Sequence, residues 1–132
     1  METKMEPMML KDSYFNILDM EKNDNDILFH IELNPSHKVY EGHFPGMPVC
    51  PGVCNVEMIK ECVQEHTGKR LFLNNLSQCK FSAVITPTYN PLLLISLNIE
   101  NIDGETIKAK GKITDPDGST TFIDFKGEFQ TK

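Results

Sequence analysis

Between Asn34 and Gly52 the chain holds four prolines and three glycines. Proline fixes φ and removes a backbone donor, so this density rules out regular structure and predicts a long, ordered loop. The loop feeds directly into the one convincing helix of the sequence. Pro51 suits a first helical turn, where its missing N–H costs nothing, and Gly68 supplies the stop after His66-Thr67. Between them Val53, Val56, Ile59, Cys62 and Val63 recur at the three- and four-residue spacing of a buried stripe, with Lys60, Glu61, Gln64 and Glu65 expected to face away. A chain with one helix must draw the rest of its core from strands.

The strands are written in alternation and turn chemistry. Tyr14 to Met20 and Ile27 to Leu33 flank the turn-forming Lys22-Asn23-Asp24-Asn25-Asp26, which predicts a hairpin. After the helix, strands are expected at Leu71 to Phe81, Leu92 to Glu100, Thr106 to Thr114 and Thr120 to Gln130. They are separated by Pro87-Thr88-Tyr89-Asn90-Pro91, by Asp103-Gly104 and by Asp115-Pro116-Asp117-Gly118. One long helix and about six antiparallel strands give an α+β fold in which the sheet wraps the central helix. At 132 residues, 1–132 is read as a single domain.

Composition removes several function classes. A formal net charge of -6 argues against a nucleic-acid partner, since phosphate binding needs a positive surface. No apolar run approaches the roughly 20 residues of a membrane helix, and Met1 to Glu6 lacks the basic flank and apolar stretch of a signal peptide, so no membrane association and a cytoplasmic location are expected. Cys50, Cys54, Cys62 and Cys79 include no C-x-x-C pair and no metal-like spacing with the histidines. They read as small core residues rather than a disulfide or zinc site, and no metal or cofactor is expected.

The chemistry is concentrated where loop meets helix. Pro45, Pro48 and Pro51 stiffen the segment that carries His43, so an imidazole there is held without spending binding energy on ordering it. Gly52, in the first helical turn, presents an unobstructed N–H at the positive end of the helix dipole, a place suited to an oxyanion. Out of this context His43 would be an ordinary loop residue and Glu57 a solvated helix carboxylate. On a helical wheel Glu57 flanks the apolar stripe beside Val53, within reach of a pocket. His30, His37 and His66 lack any such setting and are read as structural or exposed.

The run Gly42-His43-Phe44-Pro45-Gly46-x-Pro48-x-x-Pro51-Gly52-Val53-x-x-x-Glu57 closely resembles the signature of the hotdog-fold (3R)-hydroxyacyl-[acyl-carrier-protein] dehydratases, the FabZ group, related to FabA. More weakly, Lys80-Phe81 and Pro87 resemble that family's segments beyond the helix. The resemblance implies a hotdog fold and a catalytic pair of loop His and helix carboxylate, here His43 and Glu57. It also implies oxyanion or substrate-binding roles for Gly52, Val53, Phe44 and Pro51. Three positions depart from the family's pattern: Asn55 replaces an aliphatic residue, Glu61 stands where Gln is common, and Pro87-Thr88-Tyr89 lacks the family's Gly-Asp.

The implied reaction removes water from a 3-hydroxyacyl thioester, carried by acyl carrier protein or coenzyme A, to give a trans-2-enoyl thioester in fatty acid or related lipid or polyene synthesis. Such chemistry needs a base for the C2 proton, an acid for the departing hydroxyl and donors for the enolate-like oxygen. His43 has a reference pKa near about 6.5 and suits the first role. Glu57, at a reference of about 4.3, suits the second only if an apolar site favours its neutral form. The resemblance further implies a homodimer, or a trimer of dimers, with each site shared between chains. Lys69-Arg70, Lys80 and the series Lys108, Lys110, Lys112 are candidates for a local basic patch facing an acidic carrier. Two other readings stay open: a hotdog thioesterase, disfavoured by the His-Phe-Pro loop, and a binding subunit without catalysis, suggested by the departures.

Overall fold

The computed structural model describes residues 10–41 and 48–132. Six strands, β1 (Phe15–Asn23), β2 (Asp26–Leu33), β3 (Leu71–Phe81), β4 (Leu92–Asn101), β5 (Thr106–Thr114) and β6 (Thr121–Thr131), form one sheet in the order β1-β2-β4-β5-β6-β3. Every neighbouring pair is antiparallel. Helix α1 (Gly52–Thr67) is the one α-helix among the described residues, and a short 3-10 turn, Lys38–Tyr40, interrupts the loop before it. This is the hotdog architecture the sequence implies, with strand bounds within three residues of expectation. The first hairpin differs most. β1 runs on to Asn23 because Asp24 takes a left-handed φ of 55° and closes the turn with Asn25 alone, where a longer turn was expected.

Alternation sets the two faces of the sheet. Ile27, Phe29, Ile31 and Leu33 of β2, Leu93, Ile95, Leu97 and Ile99 of β4, and Ile107, Ala109 and Ile113 of β5 point inward and are buried, as are Phe125 and Phe129 of β6. They meet Met58, Ile59, Cys62 and Val63 of the helix in one apolar cluster, which also takes in Cys50. Lys108, Lys110 and Lys112 share the opposite, exposed face, as their two-residue spacing predicts.

The expected helical stripe needs two corrections. Val53 is 79% exposed, and Glu61, expected outside, is fully buried. Both follow from what each side chain faces: Val53 lies on the helix face that lines the open cavity beside β3, whereas Glu61 is met by the backbone of the irregular segment that precedes β1. That segment supplies polar backbone groups, which makes a buried carboxylate tolerable.

β3 is one of the two edge strands of the sheet, paired on one side with β6 and, among the described residues, unpaired on the other. Two register shifts, between Leu73 and Asn75 and between Leu76 and Gln78, bend it. Gln64 ties it to the helix by accepting the Leu71 N–H at 2.9 Å, and Gly68 ends the helix in a left-handed cap at φ 71°. Phe72, Leu76 and Phe81 of this strand remain exposed. Among the described residues no helix is long and apolar enough to cross a membrane.

Candidate active site

The face of α1 turned toward β3 carries Gly52, Val53, Val56, Glu57 and Lys60, a set of positions three and four apart that one helix face must share. With Phe72, Leu73, Leu76, Cys79 and Phe81 of β3 they line a cavity of about 760 Å³. Its wall is mostly apolar, and its two charges are Glu57 and Lys60. The Lys60 ammonium lies 3.2 Å from a Glu57 carboxylate oxygen, both side chains being about four-fifths buried at 20% and 24% exposure. The apolar setting expected for Glu57 is present. The lysine beside it is a feature that the helical wheel placed outside.

The mouth of this cavity is the N-terminus of the helix. Pro51 is the N-cap and offers no side-chain bond, and its carbonyl accepts from Cys54 and Asn55. The Gly52 and Val53 N–H groups have no acceptor among the described residues, so the helix start keeps donors directed at solvent. Gly52 packs closely: a Cβ there would stand 3.2 Å from the half-exposed Phe81 ring, which would have to give by a few tenths of an ångström. Cys50 anchors the approach to the helix by donating its N–H to Ile85 O at 2.8 Å. Gly52, Val53 and Glu57 thus line one cavity, and Pro51 caps the helix immediately before them. His43 and Phe44, the remaining two residues assigned to the site, lie outside the described residues.

Behind the helix two of the sequence departures prove to be built into the fold. Asn55, 3% exposed, accepts a hydrogen bond from the Tyr14 hydroxyl at 3.2 Å. Burial pushes the Tyr14 ionisation far above its ordinary range, so the hydroxyl remains a donor. Tyr40 meets Cys50 Sγ at 3.3 Å in the same layer. Nearly two turns beyond Asn55, Glu61 accepts the Leu10 N–H on both carboxylate oxygens, at 3.1 and 3.0 Å, and the Lys11 N–H on Oε1 at 2.8 Å. Burial, followed by interaction with the Glu57 carboxyl, raises its pKa to about 7, against the pull of the two backbone donors. Sequence reasoning missed Glu61, Lys60 and Tyr14. The only available signal was the unusual residue at positions 55 and 61.

The other histidines have local roles. His30 pairs with Glu21 at 2.6 Å on the sheet surface, His37 Nδ1 accepts the Val39 N–H at the 3-10 turn, and His66 sits at the helix end.

Comparison with known proteins places the chain. The ApeI-like family, described as ApeI dehydratase, matches residues 19–114. The chain belongs to the ApeI-like dehydratase family. This ApeI-like chain is 26% identical over 111 residues to the 3-hydroxyacyl-[acyl-carrier-protein] dehydratase FabZ of Fusobacterium nucleatum, covering 80% of the chain and 75% of that relative. Among solved structures it resembles a chain of the dehydratase heterocomplex ApeI:P from Xenorhabdus doucetiae, at TM-score 0.61 and 16% identity, covering 86% of this chain and 96% of that one. A putative thioesterase, yhdA from Lactococcus lactis, shares the fold equally well at TM-score 0.61, with 9% identity and coverage of 93% and 95%. The hotdog fold is therefore common to both chemistries, and the ApeI-like assignment rests on sequence.

Proposed function

We propose that the protein dehydrates 3-hydroxyacyl thioesters to trans-2-enoyl thioesters, with His43 as the base for the C2 proton and Glu57 as the acid for the departing hydroxyl. The observation that carries this reading is the position of Glu57. It is a carboxyl group set in the wall of an apolar cavity, one turn from a helix N-terminus with free N–H donors. An acyl chain fits such a wall. The thioester oxygen, which gains negative charge as C2 loses its proton, is matched by Gly52 N–H at the positive end of the helix. FabZ-named relatives and the ApeI-like family support the same reaction class.

The active unit is a homodimer in this reading. β3 has an edge unpaired among the described residues, and the apolar residues Phe72, Leu76, Phe81 and Val53 exposed around the Glu57 cavity are the kind of surface a second copy covers. The resemblance to the FabZ group adds His43 of one chain acting with Glu57 of the other. The thioester is carried by acyl carrier protein or coenzyme A.

Purified protein incubated with 3-hydroxyacyl thioesters of several chain lengths is expected to form enoyl thioester, followed by its absorbance. Release of free acid instead would select the thioesterase reading that the yhdA likeness keeps in view. His43→Ala and Glu57→Gln should each reduce turnover at least about a hundredfold. Mixing the two inactive variants should restore activity if the sites are shared.

A further inference from the structure

Asn55 has more hydrogen-bonding capacity than its surroundings use. It is 3% exposed, and its amide oxygen takes the Tyr14 hydroxyl at 3.2 Å. The amide nitrogen carries two N–H donors, and neither has an acceptor among the described residues. A buried donor without a partner costs free energy, and native chains leave few of them. The nitrogen is not walled in, however. Asn55 lines a cavity of about 370 Å³ together with Cys50, Gly52, Phe81 and residues 82–85. Tyr14 is not part of that wall, so the oxygen is turned away from the cavity and the nitrogen is the end left to face it. The Gly52 N–H, at the helix start, lacks an acceptor among the described residues as well. None of the lining residues carries an ionic side chain, and the Cys50 thiol is engaged with Tyr40. Donors without a cation suit a neutral oxygen, as in a hydroxyl, an ether or a carbonyl, better than a phosphate or carboxylate. Gly52 and Phe81 also line the Glu57 cavity, so the two cavities meet at the helix start and a thioester bound there has the second within reach.

We propose that Asn55 selects the acyl group: the second cavity receives the tail of the substrate, and the Asn55 amide donates a hydrogen bond to a neutral oxygen on that tail. This role rests on the dehydratase reading and narrows it to a class of acyl group. Two parts of a 3-hydroxyacyl thioester can hold neutral oxygens away from the reacting carbons, the amides of the carrier arm and an oxygen substituent on the tail. The arm is common to all such substrates, whereas Asn55 stands where the dehydratase signature has an aliphatic residue. A residue that departs from the signature belongs with the part of the substrate that varies. A plain alkyl tail in the cavity strips the amide of water and leaves it unpaired, so it is disfavoured. An oxygenated tail of the same length supplies the missing acceptor.

Pairs of 3-hydroxyacyl coenzyme A thioesters of equal length test this, one with an alkyl tail and one with a single ether or hydroxyl oxygen, moved carbon by carbon along the tail. For at least one position wild type is expected to favour the oxygenated member about tenfold or more in kcat/KM. Asn55→Leu combined with Tyr14→Phe removes both polar groups, and there the ratio should fall to about one or below. Tyr14→Phe alone keeps Asn55 and should keep the preference. An Asn55 with only a structural role would affect both members alike and leave the ratio unchanged. Equal kcat/KM at every position in wild type, or a ratio that survives in the double variant, overturns the proposal while the dehydratase reading stands. Discrimination that instead follows the arm amide, read by comparing N-acetylcysteamine and butyl thioesters of one alkyl acyl group, overturns it in favour of the carrier arm. Calorimetric binding of matching thioesters that lack the 3-hydroxyl reads the same preference without turnover. A binding preference lost with Asn55, in a protein that dehydrates none of the thioesters, removes the dehydratase reading and keeps the donor site.

Discussion

The Lys60 ammonium and the Glu57 carboxylate face each other at 3.2 Å on the wall of an apolar cavity, three residues apart on one helix. A pair of this kind gains little net stability, because part of the Coulomb attraction is spent on desolvation and side-chain ordering. Its effect is local: it fixes the rotamer of the residue assigned to the chemistry. Replacing Lys60 with Met should therefore move the thermal midpoint by less than about 3 °C while reducing turnover severalfold. Scanning calorimetry together with steady-state kinetics on Lys60→Met distinguishes this from a structural role, in which the midpoint would drop and turnover per folded molecule would not.

Tyr14 and Asn55 form a hydrogen bond with no water access on either side. Tyr14→Phe leaves the Asn55 amide oxygen without its donor, at a cost of about 1–3 kcal/mol. Asn55→Leu combined with Tyr14→Phe removes both polar groups, and the double variant should recover most of that loss. Urea unfolding of wild type, Tyr14→Phe, Asn55→Leu and the double variant yields the coupling directly, and strictly additive losses would show that the bond contributes nothing.

Glu61 makes stability depend on pH in a particular direction. Its value in the folded protein is about 7, above the ordinary 4.5. Below about pH 4.5 folded and unfolded chains both hold the proton and the contribution is complete. Between pH 4.5 and 7 only the unfolded chain releases it, so stability falls, and above 7 the loss is constant. The difference in unfolding free energy between wild type and Glu61→Gln, measured by denaturant at a series of pH values, should therefore change across this window and be flat above it. A difference that does not vary with pH would mean that Glu61 titrates normally.

Gly52 tests the helix start. An added Cβ meets the Phe81 ring at 3.2 Å, so the first turn or the ring must shift by a few tenths of an ångström. Gly52→Ala is expected to remain folded, with a midpoint lowered by only a few degrees, and to lose about tenfold or more in turnover, since donor geometry toward an oxyanion tolerates little displacement. Unchanged kinetics would remove Gly52 N–H from the mechanism.

Much of this arrangement is legible in the amino-acid order. Pro51 and Gly68 bracket the helix to within a residue, and Asp103-Gly104 and Asp117-Gly118 mark turns whose glycines take φ of 89° and 76°. Local chemistry decides these features, so local reading finds them. The side chains that surround Glu57 are different. Glu61 is buried because Leu10 and Lys11, 51 and 50 residues away, bring their N–H groups to it, and periodicity along one helix holds no information about such a partner. Val53 reads as core because it is apolar, yet it lies on the helix face that lines the open cavity beside β3. Tyr14 and Asn55 likewise make sense only together, across 41 positions of chain. The candidate site is proposed from its motif, whereas the contacts around Glu57 are long-range and needed the fold.

The outer strand β3 has a cost for the cell that makes the protein. The newly folded chain carries Phe72, Leu76 and Phe81 on an edge that no other described residue pairs, and any extended segment that meets it can add to the ladder. The two bulges shorten the run over which a wrong partner stays in register, and Lys80 adds a charge within the strand. How fast this edge is covered, relative to such accidental pairings, will set how much soluble protein accumulates during overproduction. Slower synthesis or lower temperature is the natural remedy.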